Sequence, residues 1–412
     1  MHPKLEALMA HGRVLGVTQR LATEISEDGR LMRLSGQAGE VLSFATCGYV
    51  GLERDPEVKR AAIAAIEQFG TCFSSTRSFV RSSLHAEAEA LLEQIFGRPV
   101  VIAQSTTMAH AAALPVLLEA RDLVLADRQV HHSVQNALSA LGPRGPEVVY
   151  LPHADMNALE QAVVDALARG VRKIWYCADG VYSMFGDRLD HVALAAIMHR
   201  HEALHAYLDD AHGMSWCGAR GGGSLVDSAL PWERVVLATS LSKGFGAGGG
   251  ALVLPDQATK LRIGDLGPSL MFSIQLAPPL IGAICAVARI HLDPGFRALQ
   301  ARVRARIDDL SQALAARPAL AARVFGGTSN HDTPIRFIVL GTGDRVTSAA
   351  RQLLDRGVLV NPVAFPAVPI RQGGLRISVT ATHERSDIKT LVAALAEVVG
   401  ERAHEAPHIN AA

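Results

Sequence analysis

The sequence predicts an α/β fold: a large domain with a mostly parallel seven-stranded sheet between helices, plus a smaller α+β C-terminal domain. Two observations carry this. Short apolar runs recur at VVIAQ (100–104), DLVLAD (122–127), EVVYLP (147–152), KIWYCAD (173–179), HAYLDD (205–210), RVVLATS (234–240) and GALVLPD (250–256). Helical stretches such as MNALEQAVVDALARG separate them, the pattern of strands buried on both faces by crossover helices. In such sheets, ligand-binding groups gather at the strand C-terminal ends.

Taken in order, residues 1–55 read as an N-terminal helix and hairpin arm, with alternating polar and apolar residues around the turn signal Asp28-Gly29. From residue 56, EVKRAAIAAIEQF and HAEAEALLEQIF carry apolar residues at helical spacing and open a large ligand-binding domain over 56–285. Residues 280–316 read as a long helix or helix pair leaving it. A small domain over 286–400 follows, with strands in PIRFIVLG, LVNPVAF and GLRISVT and helices in RVTSAARQLLDRG and SDIKTLVAALAEVV. Residues 401–412 read as a flexible tail.

The bulk numbers narrow the function classes. With 412 residues, 49% hydrophobic and 19% charged, the chain has globular composition and length for two domains. Lys+Arg and Asp+Glu both number 40, so nothing points to nucleic acid or an anionic membrane as partner. Five scattered cysteines without CxxC spacing imply free thiols, no metal site and a reducing, cytoplasmic setting. The N-terminus lacks a signal-peptide core, and the richest apolar run, LAPPLIGAICAVARI, is too short and proline-broken to span a bilayer.

Four clusters follow predicted strands. Gln104-Ser105-Thr106-Thr107-Met108-Ala109-His110 enters a helix, where hydroxyls and N–H groups make either an anion site or an ordinary N-cap. Asp127 to Ser133 carries His131, a candidate to stack on a flat cofactor, although core and surface histidines are commoner. Asp209-Asp210-Ala211-His212-Gly213 presents a carboxylate and a histidine to one ligand, though an acidic strand end also caps turns. Thr239 to Gly246 sets Lys243 among glycines and hydroxyls instead of in solvent, where an amine can lose its proton and attack a carbonyl. Together these supply an anion cradle, a stacking ring, a carboxylate and an amine, the parts required by pyridoxal 5'-phosphate.

The order and spacing resemble the fold-type I enzymes dependent on that cofactor, and more narrowly the α-oxoamine synthases. YLDDAHGMSWCGARGGG (207–223) and TSLSKGFGAGGGAL (239–252) carry the resemblance most strongly. ADGVYSMFGDRLD (178–190), ADRQVHHS (126–133), GYVGLERDPEV (48–58) and GLRISVTATHE (374–384) extend it. The resemblance implies that Lys243 holds the cofactor as a Schiff base and later moves the substrate Cα proton. It implies that Asp209 pairs with the pyridine nitrogen, that His131 stacks on the ring, and that His212 and Ser183 address the ring hydroxyl. Ser240, with Thr106, Thr107 and Met108, would hold the phosphate, partly through backbone N–H groups. Arg376 would bind the amino acid's α-carboxylate. Ser273 sits where the family reaches across a dimer interface.

Some positions depart from the family pattern. Cys47 replaces an asparagine near the substrate, His110 stands where asparagine is common, and Asp179 replaces a frequent glutamate. The expected reaction is a decarboxylative condensation of an α-amino acid with an acyl thioester, on CoA or an acyl carrier protein, by a homodimer with its active site near the interface. An aminotransferase on the same scaffold and a catalytically silent subunit are the rivals; the retained Lys243 and Asp209 argue against the second.

Overall fold

The computed structural model describes residues 3–327 and 332–400; the tail expected over 401–412 lies outside them. The chain divides into two compact units. The larger takes in Leu52–Tyr182 and Arg188–Gln300, the smaller Met1–Gly51, Ser183–Asp187 and Ala301–Ala412.

In the smaller unit, helix Pro3–Val14 leads to strands β1 (Ala22–Ile25), β2 (Leu31–Leu34) and β3 (Glu40–Ser43), an antiparallel series whose first turn holds Asp28 and Gly29. Gly29 has a φ of 78°, which glycine adopts without strain.

The larger unit holds β4 (Val100–Ala103), β5 (Leu123–Asp127), β6 (Glu147–Leu151), β7 (Ile174–Asp179), β8 (Leu204–Asp209), β9 (Val235–Ser240) and β10 (Gly250–Val253). They form one seven-stranded sheet in the order β4-β10-β9-β8-β7-β5-β6, in which β10 alone runs antiparallel to its neighbours. All residues of β4, β5, β7, β9 and β10 are buried, so uniform apolarity replaces alternation, as two-sided covering requires. Helix starts are chemically marked. Asp55 caps Pro56–Phe69, Ser82 caps Ser83–Phe96, Ser105 caps Thr106–Leu117 and Asp155 caps Met156–Ala168, each accepting from first-turn N–H groups. Ala109, Ala112, Ala113 and Leu114 of helix Thr106–Leu117 join one core cluster with Val101, Ala103, Val236, Ala238 and Leu252 of the sheet. The small alanines let this helix lie close to the strands, and that closeness positions its N-terminus.

The rest of the smaller unit comprises β11 (Ile335–Gly341), β12 (Val358–Leu359), β13 (Asn361–Val363) and β14 (Gly373–Ser378), with helices Gly343–Asp355 and Arg385–Gly400. β11, β14 and β13 make an antiparallel sheet, while β12 pairs in parallel with β3. The expected 1–55 arm therefore shares a sheet with a strand some 300 residues later, rather than standing alone. The large unit also continues to Gln300, beyond the expected boundary at 285, and Ser183–Asp187 interrupts it. That short insert joins the smaller unit through specific contacts. Gly186 O accepts from Thr333 Oγ1 at 2.7 Å, Ser183 O accepts from Arg376 Nε at 2.6 Å, and Phe185 stacks on Phe325 with ring centroids 4.0 Å apart. Among the described residues, no helix is long and apolar enough to cross a membrane.

Candidate active site

In the larger unit the candidate residues converge at the C-terminal ends of β4, β5, β7, β8 and β9. Asp209 ends β8 and is 4% exposed. Its Oδ1 accepts the Ala211 N–H at 2.9 Å, and its Oδ2 lies 3.1 Å from His110 Nε2. Burial by itself raises this carboxyl. The His110 hydrogen bond, together with the electrostatic influence of His110, Lys243 and His131, outweighs that and holds it at about 2.

Asp179 ends the neighbouring strand β7 and is the register partner of Asp209. Burial first, then the charge of Asp209, pushes it well above the usual carboxylate range. Its Oδ1 accepts the His131 backbone N–H at 3.0 Å. Asp179 therefore ties the segment after β5 to the end of β7.

His131 is the N-cap of helix His132–Ser139, with Nδ1 2.6 Å from Ser133 Oγ and accepting the Ser133 N–H at 3.3 Å. An Nδ1 that accepts leaves the proton on Nε2. Burial lowers the His131 pKa, and Lys243 and His110 add to this against the charge of Asp209, so the neutral imidazole is favoured.

Lys243 lies in the turn after β9, half-buried, its carbonyl accepting the Gly246 N–H at 2.9 Å. Its charge acts on Asp209, Asp179 and His131 alike. Gly246 has a φ of 78°, and a Cβ there would meet Glu53 N at 2.6 Å, so glycine is required where the turn crosses Leu52 and Glu53.

The N-terminus of helix Thr106–Leu117 is tied to the end of β9, and the turn that follows is braced within itself. Thr106 Oγ1 donates to Thr239 O at 3.3 Å, and Ser240 Oγ accepts the Ser242 N–H at 3.2 Å. The Met108 N–H, an expected phosphate donor, is instead bonded to Ser105 Oγ at 3.1 Å as part of the helix cap. Thr107 is exposed. Ser273 Oγ donates to Gln104 Oε1 at 3.1 Å, beside this cap within the same chain.

His212 is 6% exposed, and its carbonyl accepts from Trp216 Nε1 at 2.7 Å. Asp210 plays a part that its adjacency to Asp209 does not reveal. It accepts from Ser224 N and Oγ, both at 2.6 Å, and burial pushes it up to about 7. Gly180, Gly213 and Gly223 surround it so closely that a Cβ on any of them would overlap its carboxyl group. Three of the glycines in the DDAHG, ADGVY and GARGGG segments are thus explained by one carboxyl.

In the smaller unit Arg376, on β14 and 4% exposed, donates from Nε to Ser183 O at 2.6 Å, from Nη1 to Ser378 Oγ at 3.0 Å and from Nη2 to Cys47 Sγ at 3.7 Å. Buried Tyr49 also hydrogen-bonds it. These contacts engage most of the five-donor guanidinium and fix its plane. The tie to Ser183 runs through that residue's backbone carbonyl.

In the sequence, His110 stands out only as the end of the Gln104–His110 cluster and as a departure from the family pattern, with no role of its own. Its signal was its place one helical turn beyond Thr106, on the buried face of an otherwise alanine-rich helix.

Residues 40–395 match the family described as aminotransferase class I and II. The 8-amino-7-oxononanoate synthase of Geobacter sulfurreducens is 31% identical over 388 residues, covering 94% of this chain and 95% of the relative. Human mitochondrial 2-amino-3-ketobutyrate coenzyme A ligase is 28% identical over 376 residues, covering 90% and 86%. In fold, the chain is similar to Sphingomonas wittichii serine palmitoyltransferase, with a TM-score of 0.85 at 20% identity over 98% and 99% of the two chains. On this evidence the chain belongs to the class I and II aminotransferase family and, within it, to the α-oxoamine synthases, acyltransferases of fold type I that depend on pyridoxal phosphate.

Proposed function

We propose that the protein joins an α-amino acid to an acyl thioester, borne by CoA or an acyl carrier protein, with loss of carbon dioxide and release of the thiol, to give an α-aminoketone. The observation that carries this reading is the cluster of Lys243, Asp209 and His131 at three strand ends, with the lysine's charge acting on both other residues. Asp209 is a buried anion, which requires cationic partners, and an amine together with a protonated ring nitrogen meets that need.

The residues fit the cofactor. Ser240, Thr106 and the first-turn N–H groups of Thr106 and Thr107 suit its phosphate; Met108, its N–H engaged by Ser105, contributes only its position in that turn. Asp209 suits the ring nitrogen, His131 the ring face, and His212 and Ser183 the ring hydroxyl. When bound, pyridoxal phosphate serves as the electron sink for the pair released at the substrate Cα.

Lys243 Nζ would hold the cofactor at its aldehyde carbon and, once released, would take the Cα proton of the substrate. Asp209 would hold the ring nitrogen and favour its protonated form. His131, its Nδ1 occupied by Ser133, offers Nε2–H to the oxyanion that develops as the thioester carbonyl is attacked. Arg376 grips the amino acid carboxylate, and Cys47 beside it shapes the amino acid's surroundings. The working form is a homodimer with its active site near the interface, in the cytoplasm.

The test is thiol release from acyl-CoAs and acyl carrier proteins of varied chain length across a panel of amino acids, with the product identified by mass. An α-aminoketone with stoichiometric thiol and carbon dioxide is the expected outcome. Amino transfer to a keto acid without thiol release would overturn the reading in favour of an aminotransferase.

A further inference from the structure

Asp209 is a buried anion approached from every side by a different element. Ala211 N–H comes from its own chain direction, His110 from helix Thr106–Leu117, Asp179 from β7, His131 from the segment after β5, and Lys243 from the turn after β9. Of these, His110 joins Asp209 by a direct side-chain hydrogen bond and carries a second partner on its other ring nitrogen. Its Nε2 lies 3.1 Å from Asp209 Oδ2, its Nδ1 lies 2.8 Å from Tyr207 Oη, and its side chain is fully buried.

The direction of the proton chain follows from chemistry. An ionised carboxylate only accepts, so His110 Nε2 carries a hydrogen. Tyr207 is buried, and burial together with the charge of Asp209 pushes its phenol well above its usual range, so the hydroxyl keeps its proton and donates to Nδ1. Three groups thus line up in one sense: Tyr207 O–H to His110 Nδ1, His110 Nε2–H to Asp209 Oδ2. Tyr207 and Asp209 are two residues apart on β8 and point to the same face, so one imidazole can bridge them. A shorter amide at position 110 could not span both.

We propose that His110 and Tyr207 are positioning residues for the cofactor's ring nitrogen, forming a buried relay that keeps Asp209 ionised and fixed in orientation. This rests on the reading that Asp209 faces the pyridine nitrogen. Without the relay, Asp209 Oδ2 would share its buried surroundings with Asp179 and lose its main donor. The proton that should sit on the ring nitrogen would then move to the carboxylate.

The experiment uses the full chain stripped of cofactor and titrated with pyridoxal phosphate. It compares wild type with His110→Phe, which removes both nitrogens, and Tyr207→Phe, which removes only the hydroxyl. The readouts are the cofactor Kd, the pH dependence of its bound visible band, and the histidine ring 15N resonances of the cofactor-free protein. His110→Phe is expected to weaken cofactor binding by about tenfold or more and to move the midpoint of the band's pH titration by about one unit, as loss of a hydrogen bond to a charged group predicts. Tyr207→Phe should move both in the same direction by less, and should shift the His110 Nδ1 resonance even without cofactor.

Kd values within twofold of wild type and an unmoved band in both variants would overturn the proposal, and so would a lower melting temperature with an unmoved band. If His110→Phe fails to fold, Tyr207→Phe decides: an unmoved band and an unmoved Nδ1 resonance sink the relay. A wild-type protein that forms no visible band would instead overturn the cofactor reading, and the relay with it.

Discussion

Asp179 and Asp209 stand opposite each other in register at the ends of adjacent parallel strands, and their carboxyls are driven in opposite directions. The difference lies in their partners. Asp209 has His110 and the lysine charge close at hand, while Asp179 has burial, a like-charged neighbour and one backbone N–H.

The pair predicts a pH-dependent stability. An acid whose folded pKa is raised costs stability once the pH exceeds its unfolded value near 4, and the cost grows until its folded pKa is passed. Asp179→Asn removes the ionisation yet keeps an oxygen to accept the His131 N–H. Its melting temperature, measured by scanning calorimetry on the cofactor-free protein, should exceed that of wild type by about 1 °C at pH 8 for each kcal/mol relieved, and by less at pH 4.5. Equal shifts at both pH values would contradict the assignment. Asp209 has the opposite sign: its contribution is present above pH 4 and is lost as the pH falls toward about 2.

Lys243→Ala should fold, because the turn is built from backbone bonds such as Gly246 N–H to Lys243 O. Thiol release should fall by about 10²–10⁴-fold, the usual contribution of a positioned general base. Borohydride treatment should label the wild type at residue 243 with the reduced cofactor, readable by peptide mass, and leave the variant unlabelled.

Gly250 tests the contact between β10 and the anion cradle. A Cβ at this position would sit 2.6 Å from Ser105 C and 2.7 Å from Thr106 Cα. Both are backbone atoms that cannot step aside. Gly250→Ala should cost about 1–3 kcal/mol and weaken binding of pyridoxal phosphate by displacing the helix start. Gly264→Ala, in helix Gln257–Leu266 with nothing within 4 Å, should stabilise by about 1 kcal/mol. Thermal melts of the two variants side by side separate overpacking from helix propensity.

Arg376→Lys keeps the charge and loses the planar fork. The Ser183 and Ser378 contacts cannot both survive in a single ammonium that must also meet a carboxylate. Steady-state kinetics with the amino acid varied should show KM raised by about tenfold or more, as the loss of a charged hydrogen bond implies, with a smaller change in kcat. An unchanged KM would remove Arg376 from the substrate carboxylate.

Much of this was legible in the sequence because it is encoded locally. Seven buried strands announce themselves as apolar runs, helix starts as Asp or Ser before the periodic stretch, and the Lys243 turn as glycines and hydroxyls around an amine. Strand ends in a parallel sheet share one edge, so the sequence alone predicts Asp209, Lys243 and His131 as neighbours. Three-dimensional packing alone decided the rest. The pairing of β3 with β12, the capture of Ser183–Asp187 by the smaller unit, and the Asp210 cage of three glycines all join residues distant in sequence. The bridge from Tyr207 through His110 to Asp209 is of the same kind. Residue spacing along a chain reports which face of an element a side chain occupies, but not which other element will press against that face. The charge state of a buried carboxyl is set by those neighbours, and so it emerges only once the chain has folded.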